Sequence, residues 1–158
     1  MILNESQINL LNTAIGLALN EVYEKDIYLI QNKVHERTIV SRFCIYFQQA
    51  LNSIDFASYN LDFEYSKNHS DPKRTENFPH GTYPDVILHS RGSNDANVLI
   101  IEFKTWWESN TATDIKKLKD FTIQQGQYKY GIGYSIVLYS SRIDVQKTVI
   151  INGEIYND

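Results

Sequence analysis

The chain has 158 residues, the length of one ordinary globular domain, and 42% of them are hydrophobic, which is enough to fill a core. A charged share of 22% argues against disorder, and the single cysteine, Cys44, excludes an internal disulfide and hence a small disulfide-stapled scaffold. The net charge of −4 counts against a nucleic-acid binder, because such proteins usually carry a basic face. A local basic patch can nevertheless exist within an acidic total.

Polar residues, among them Asn4, Glu5 and Asn9, occupy the N-terminal stretch where a signal peptide would be apolar. No run of about 18 apolar residues follows, so we expect no membrane span and no membrane partner. These features predict a cytoplasmic protein.

Apolar residues at helical spacing predict two helices in the first third of the chain. The first covers about residues 5–24, with Asn4 or Ser6 as its cap, and its apolar stripe is Ile8, Leu11, Ile15, Leu19 and Val22. The second covers about residues 34–53, and its stripe is Val40, Phe43, Cys44, Phe47 and Leu51. Cys44 lies in that stripe, so we expect it in the core and not as a nucleophile.

The middle of the chain favours strands. Residues 61–66 alternate apolar and polar, and residues 83–89 form a second apolar run after a polar loop over 67–81. Residues 98–104 are apolar on both faces, which is typical of a strand in the centre of a sheet.

The last third predicts a helix over about 114–122, a strand over 134–139 and a hairpin closed by Asn152-Gly153, a dipeptide that favours a type I′ turn. The order is therefore helix, strand, strand, strand, helix, strand, with additions at both ends. We expect an α/β fold with a mixed central sheet.

Two acids and a lysine lie on neighbouring predicted strands. Asp85 is near the start of the second strand, and Glu102 and Lys104 are at the end of the third. Glu102 and Lys104 are two residues apart, so both point to one face, while Phe103 points to the other. Charges at the end of so apolar a strand need partners or a metal. A plain ion pair of Lys104 with Asp85 or Glu102 is the alternative.

Carboxylate oxygens on adjacent strands suit Mg²⁺ or Mn²⁺, which take one or two carboxylates and retain several waters. Such a metal would activate water and polarise a phosphoryl oxygen. Lys104 would orient the attacking water or stabilise transition-state charge. Glu36 lies on the core side of the second helix, where it could reach a metal, a backbone group or Lys104. It could also simply be a first-turn acid favoured by the helix dipole.

The motifs Pro84-Asp85 and Glu102-Phe103-Lys104, on consecutive strands after a helix that carries Glu36, resemble the PD-(D/E)XK nuclease superfamily. The surrounding stretches look like a group of small bacterial nuclease-like proteins. The resemblance implies one nuclease-like domain over residues 1–158, with a restriction-endonuclease-like αβββαβ core over about 34–140. It also implies that Asp85, Glu102 and the carbonyl of Phe103 bind the metal, that Lys104 is catalytic, and that Glu36 is an additional acidic member.

The expected substrate is nucleic acid, DNA ahead of RNA, cleaved by a magnesium-dependent phosphodiesterase. A set of basic side chains is predicted to contact it, namely Lys67, Lys73, Arg74, Arg91 and Lys117. A homodimer or a targeting protein would help an acidic chain to find this substrate. Two alternatives stay open: a catalytically silent member of the same fold that binds nucleic acid or protein, and an unrelated α/β interaction domain.

Overall fold

A six-stranded mixed sheet lies at the centre of the structure, a computed structural model that describes residues 1–156. The helices are α1 (Glu5–Lys25), α2 (Ile27–Gln31), α3 (Glu36–Leu51) and α4 (Ala112–Thr122). The strands are β1 (Asn60–Phe63), β2 (Lys67–Asn68), β3 (Asp71–Pro72), β4 (Val86–His89), β5 (Leu99–Thr105), β6 (Ile132–Leu138), β7 (Gln146–Ile151) and β8 (Glu154–Tyr156). A short 3-10 turn covers Arg142–Asp144.

The strand order β1-β4-β5-β6-β7-β8 places the most apolar strands in the middle of the sheet. β5 and β6 pair in parallel, and every other neighbouring pair in this sheet is antiparallel. The parallel pair is joined through α4, as a crossover between parallel strands requires. The predicted α/β class with a mixed sheet is confirmed.

The two faces of the sheet bury two separate apolar clusters. Leu99, Ile101 and Phe103 of β5 face the larger cluster, which α1 and α3 cover. Ile100 faces the smaller cluster, together with Leu118 and Phe121 of α4. Because side chains alternate along a strand, Glu102 and Lys104 emerge on the α4 side with Ile100. The predicted opposition between Phe103 and the two charged residues is confirmed.

Both long helices begin where the sequence predicts, within about two residues. Asn4 caps α1, since its side chain accepts a hydrogen bond from the backbone N–H of Gln7 at 2.9 Å, and the side-chain oxygen of Gln7 accepts one from the backbone N–H of Asn4 at 3.0 Å. Cys44 packs at the edge of the larger cluster, and burial raises the pKa of its thiol to about 12. The expectation that it is a core residue and not a nucleophile fits both observations.

Three elements escaped the sequence analysis. They are the short helix α2, the β2–β3 hairpin inside the predicted loop over 67–81, and the 3-10 turn. Each is too short to establish a hydrophobic period. The first predicted strand, 61–66, also ends early: Glu64 has φ of 50°, a left-handed conformation that breaks an extended chain.

The C-terminal hairpin pairs β7 with β8 as predicted. Asn152 and Gly153 have φ of 49° and 79°, the two positive values that a type I′ turn requires. Within residues 1–156, no helix combines the length and the apolar character needed to cross a bilayer.

We expect Gly153→Ala to lower the free energy of unfolding by about 1–3 kcal/mol. An alanine there is strained by the φ of +79°, and its Cβ would lie 2.8 Å from Cγ1 of Ile123. Gly92→Ala is the matched control: it has φ of +83° but no atom within 4 Å of the added Cβ, so only the backbone cost of about 1 kcal/mol applies. Urea unfolding of both variants measures the difference, and equal losses would contradict the steric contribution.

Candidate active site

Asp85 and Glu102 meet where β4 begins, beside the middle of β5. The register pairs Val86 with Ile101, so Asp85 stands just beyond the last paired residue, beside Glu102 and Phe103. The Asp85 carboxylate accepts a hydrogen bond from the backbone N–H of Phe103 at 2.7 Å. The Asp85 side chain therefore binds a backbone N–H of β5 that the backbone of a longer β4 could have paired with. For this reason β4 begins at Val86, whereas the sequence predicted a start at Tyr83.

Glu102 is buried in the face of the sheet, with 1% of its surface exposed. Its Oε2 accepts a hydrogen bond from Nζ of Lys117 at 2.6 Å, while its Oε1 is buried without a hydrogen-bond partner among the described residues. Lys117 also donates to the carbonyl of Tyr83 at 3.3 Å. An ammonium from α4 is thus the counter-charge of this carboxylate.

Lys104 points into a second group of acids. Its Nζ lies 3.2 Å from Oδ2 of Asp114 and 3.8 Å from Oε1 of Glu36, and it donates to the carbonyl of Phe103 at 3.1 Å. Its ion-pair partners among the described residues therefore come from two helices. The alternative of a direct pair with Asp85 or Glu102 is not what this part of the chain adopts.

Glu36 is the first residue of α3, and its side chain lies close to Lys104 and Asp85. One of its oxygens, Oε2, is buried and has no hydrogen-bond partner among the described residues. Glu36, Glu64 and Asp85 also line a pocket of about 10 Å³, which has room for roughly one water molecule. Of the roles left open for Glu36, contact with Lys104 is the one the geometry favours.

Burial and mutual repulsion raise the pKa of all three predicted acids. Desolvation is the largest cause of the raised pKa for each acid. The pKa of Glu36 is raised to about 7, and that of Glu102 well above its usual range. The pKa of Asp85 is also raised by burial, although the Phe103 N–H and the lysines oppose this. For Lys104, burial lowers the pKa, but Asp114 and Glu36 outweigh it and raise the value, so the ammonium stays protonated at neutral pH.

Asp114 was not among the predicted site residues. It lies on α4, is 5% exposed, and pairs with Lys104. A sequence signal for it existed, because Asp114 is four residues before Leu118 and seven before Phe121, on the apolar side of the helix. An acid in that stripe needs a buried cation, and Lys104 supplies it.

The predicted nucleic-acid contacts do not form one surface. Lys67 and Arg74 are exposed, whereas Arg91 is held by Asp62 through two hydrogen bonds of 2.5 and 2.9 Å. Lys117 belongs to the acidic site, as described above. Lys73 is 2% exposed, so it does not lie on the surface as Lys67 and Arg74 do. Its ammonium lies beside the rings of Tyr65 and Tyr128.

The donor set suits a hard divalent cation more than a transition metal, since it consists of carboxylate and carbonyl oxygens. Glu102 Oε1 and Glu36 Oε2 are buried and lack hydrogen-bond partners among the described residues, as oxygens that await a cation would. Within residues 1–156, however, no group of three or more His, Cys, Asp or Glu side chains is arranged to hold a metal. Mg²⁺ needs only one or two carboxylates when waters and substrate complete its shell, so the residues fit it.

Comparison of this chain with protein-family models, with curated proteins and with solved structures gives no significant match.

With a chelator present, the free energy of unfolding should fall as the pH rises from roughly 5 to 8. Folding raises the pKa of Glu36 to about 7. Such an acid contributes fully to stability at a pH below its unfolded-state pKa, and this contribution is lost as the pH rises through its folded-state pKa. In Glu36→Gln the free energy of unfolding should therefore decrease by about 1–3 kcal/mol less over this pH range than in the wild type. Urea unfolding at both pH values measures it, with Glu24→Gln as an exposed control. An unchanged pH slope in Glu36→Gln would contradict the assignment.

Lys117→Met should destabilise the protein by about 2–4 kcal/mol at pH 8, because it leaves Glu102 buried without its counter-charge. The loss should be smaller at pH 5, where a protonated Glu102 no longer needs the ammonium. Lys116→Met, at the exposed neighbouring position of α4, is the control. Equal losses at the two pH values would show that Lys117 acts through packing alone.

Proposed function

We propose that this chain is a magnesium- or manganese-dependent nuclease of the PD-(D/E)XK type, with Asp85, Glu102 and Lys104 as its central residues. The observation that carries this proposal is their convergence where the start of β4 meets β5, with buried oxygens of Glu102 and Glu36 that lack hydrogen-bond partners among the described residues. A surface ion pair would not require this burial.

The arrangement of elements supports the same proposal. In chain order, α3, β1, β4, β5, α4 and β6 follow the helix-strand-strand-strand-helix-strand order of the restriction-endonuclease-like core. The antiparallel strands come first and the parallel pair last. The β2–β3 hairpin and the elements before α3 and after β6 are then additions to this core.

In this proposal Asp85, Glu102 and the carbonyl oxygen of Phe103 would hold the metal. Glu102 Oε1 is the oxygen available to it, because Oε2 is engaged by Lys117. The bound cation supplies the positive charge that activates a water and polarises a phosphoryl oxygen.

Lys104 and Glu36 share the proton chemistry. Asp114 and Glu36 keep the ammonium of Lys104 charged and in place, so it can donate to the attacking water or to the developing phosphorane oxygen. Glu36, with a pKa of about 7, can accept a proton near neutral pH, when roughly half of it is ionised. The small pocket between Glu36 and Asp85 offers a place for that water.

Nucleic acid is the substrate class we propose, DNA ahead of RNA. The net charge of −4 and the dispersal of the predicted basic contacts leave little electrostatic attraction for a long duplex. A second subunit or a targeting protein would supply the missing basic surface. Lys67 and Arg74 remain the exposed basic residues that this proposal assigns to the substrate backbone.

A second candidate is a catalytically silent module of the same fold that binds nucleic acid or protein. The observation in its favour is the contact between Lys117 and Glu102, in which an internal ammonium already neutralises one of the two proposed metal ligands. A chain that no longer binds a metal could retain such a pair as part of its core.

The test is a cleavage assay on single- and double-stranded DNA and RNA with Mg²⁺ or Mn²⁺. Asp85→Asn and Glu102→Gln should each lose metal affinity by calorimetry and activity together. Lys104→Met should bind metal within about threefold of the wild type but cleave at least about 100-fold more slowly, since it removes only a proton donor.

Glu24→Gln, in an exposed part of α1, is the control and should cleave as the wild type does. Cleavage that survives Asp85→Asn would contradict the proposed site. Metal binding without cleavage of any of the four substrates would favour the binding module. Absence of both would favour the unrelated interaction domain.

A further inference from the structure

Lys73 is a buried cation without a counter-ion. It is 2% exposed, and within residues 1–156 its Nζ has neither a carboxylate partner nor a hydrogen-bond acceptor. Its ammonium instead lies 5.4 Å from the ring centre of Tyr65 and 5.2 Å from that of Tyr128. Aromatic faces stabilise a cation, but they do not neutralise it.

The pKa of Lys73 is lowered to about 8, because burial removes water from the ammonium and disfavours its charged form. The ammonium therefore remains mostly charged at neutral pH while no acid compensates it. Buried charges in proteins are ordinarily paired, so an uncompensated one indicates a partner that comes from outside the chain.

Lys73 also lines a small polar pocket between the β2–β3 hairpin and the turn after β4. Tyr65 and His89 form its inner wall, and the rest includes Lys67, Asn68, His69, Ser93 and Asn94. No Asp or Glu lines it. The side chains present can donate hydrogen bonds, and Lys67 adds a second positive charge at the exposed rim.

The size of the pocket limits its occupant. Its volume is about 10 Å³, which is room for roughly one oxygen-sized atom. A whole phosphate group cannot be enclosed, but one of its oxygens can enter while the others stay at the rim beside Lys67 and His69.

The geometry points to an oxyanion-binding site at Lys73, one that takes a phosphoryl oxygen of a phosphate monoester or diester. It is separate from the acidic site, because Lys73 contacts the ring cluster next to His89, at the other end of β4 from Asp85. Four residues of extended chain separate Asp85 from His89, which is roughly 13 Å. The site does not depend on cleavage activity.

The first probe is inorganic phosphate, added to the full chain with sodium chloride of equal ionic strength as the reference. Saturating phosphate should raise the unfolding midpoint by roughly 5 °C or more, because a ligand that binds only the folded state stabilises it. Lys73→Met should abolish the rise. Lys116→Met should retain it, since Lys116 is exposed, carries the same charge and lies outside the pocket.

Asn94→Asp provides a second test that keeps Lys73 and covers the case in which Lys73→Met does not fold. The new carboxylate would act as an internal counter-ion and should also abolish the phosphate effect. Asp85→Asn should leave the phosphate effect unchanged, so failure of the nuclease proposal and failure of this one are distinguishable.

A nucleoside monophosphate and a short single-stranded oligonucleotide identify the source of the phosphate. Tighter, Lys73-dependent binding of the oligonucleotide would assign the site to a nucleic-acid backbone, and preference for the monophosphate would assign it to a small phosphate ester. The proposal is overturned if phosphate and chloride act equally on the wild type, or if Lys73→Met responds to phosphate as the wild type does.

Discussion

The buried carboxylate of Glu102 is the constraint on which the site depends. A charged group in the centre of a sheet face is costly unless something neutralises it, and Asp85 beside it makes the cost larger. Lys117 meets that demand from α4. The position of this helix over the sheet is therefore fixed by an ion pair as well as by Leu118 and Phe121, which fill the smaller apolar cluster.

The same helix serves two charges of opposite sign. Asp114 and Lys117, three residues apart, lie on neighbouring positions of one helix face. Asp114 of the helix pairs with Lys104 of the strand, and Lys117 of the helix pairs with Glu102 of the strand. This crossed arrangement gives the strand's two charges separate partners: Lys104 pairs with Asp114 and Glu36, while Glu102 pairs with Lys117.

Several of the basic residues that could meet a nucleic acid are engaged within the molecule. Arg91 binds Asp62, Lys117 binds Glu102, and the ammonium of Lys73 lies beside two tyrosine rings. Side chains held in this way add less positive surface for a long polyanion to approach. In our proposals phosphate is recognised at two local sites, the pocket at Lys73 and the acidic centre.

Sequence periodicity by itself determined the two long helices, the central strands, the type I′ hairpin and the side of β5 that carries Glu102 and Lys104. These follow from local chemistry: an alternation of two or of 3.6 residues decides which face is apolar, and Asn-Gly prefers positive φ. The proximity of Asp85 to Glu102 could also be predicted, because consecutive strands usually pair.

Only the tertiary structure decided which charges meet. Asp114, Lys117 and Glu36 come from helices whose placement depends on packing over the whole sheet, and the inward fold of Lys73 depends on two rings distant in sequence, Tyr65 and Tyr128. The spacing of apolar residues predicts which face of a single helix or strand is buried. The partner of a buried charge depends instead on which other elements pack around it.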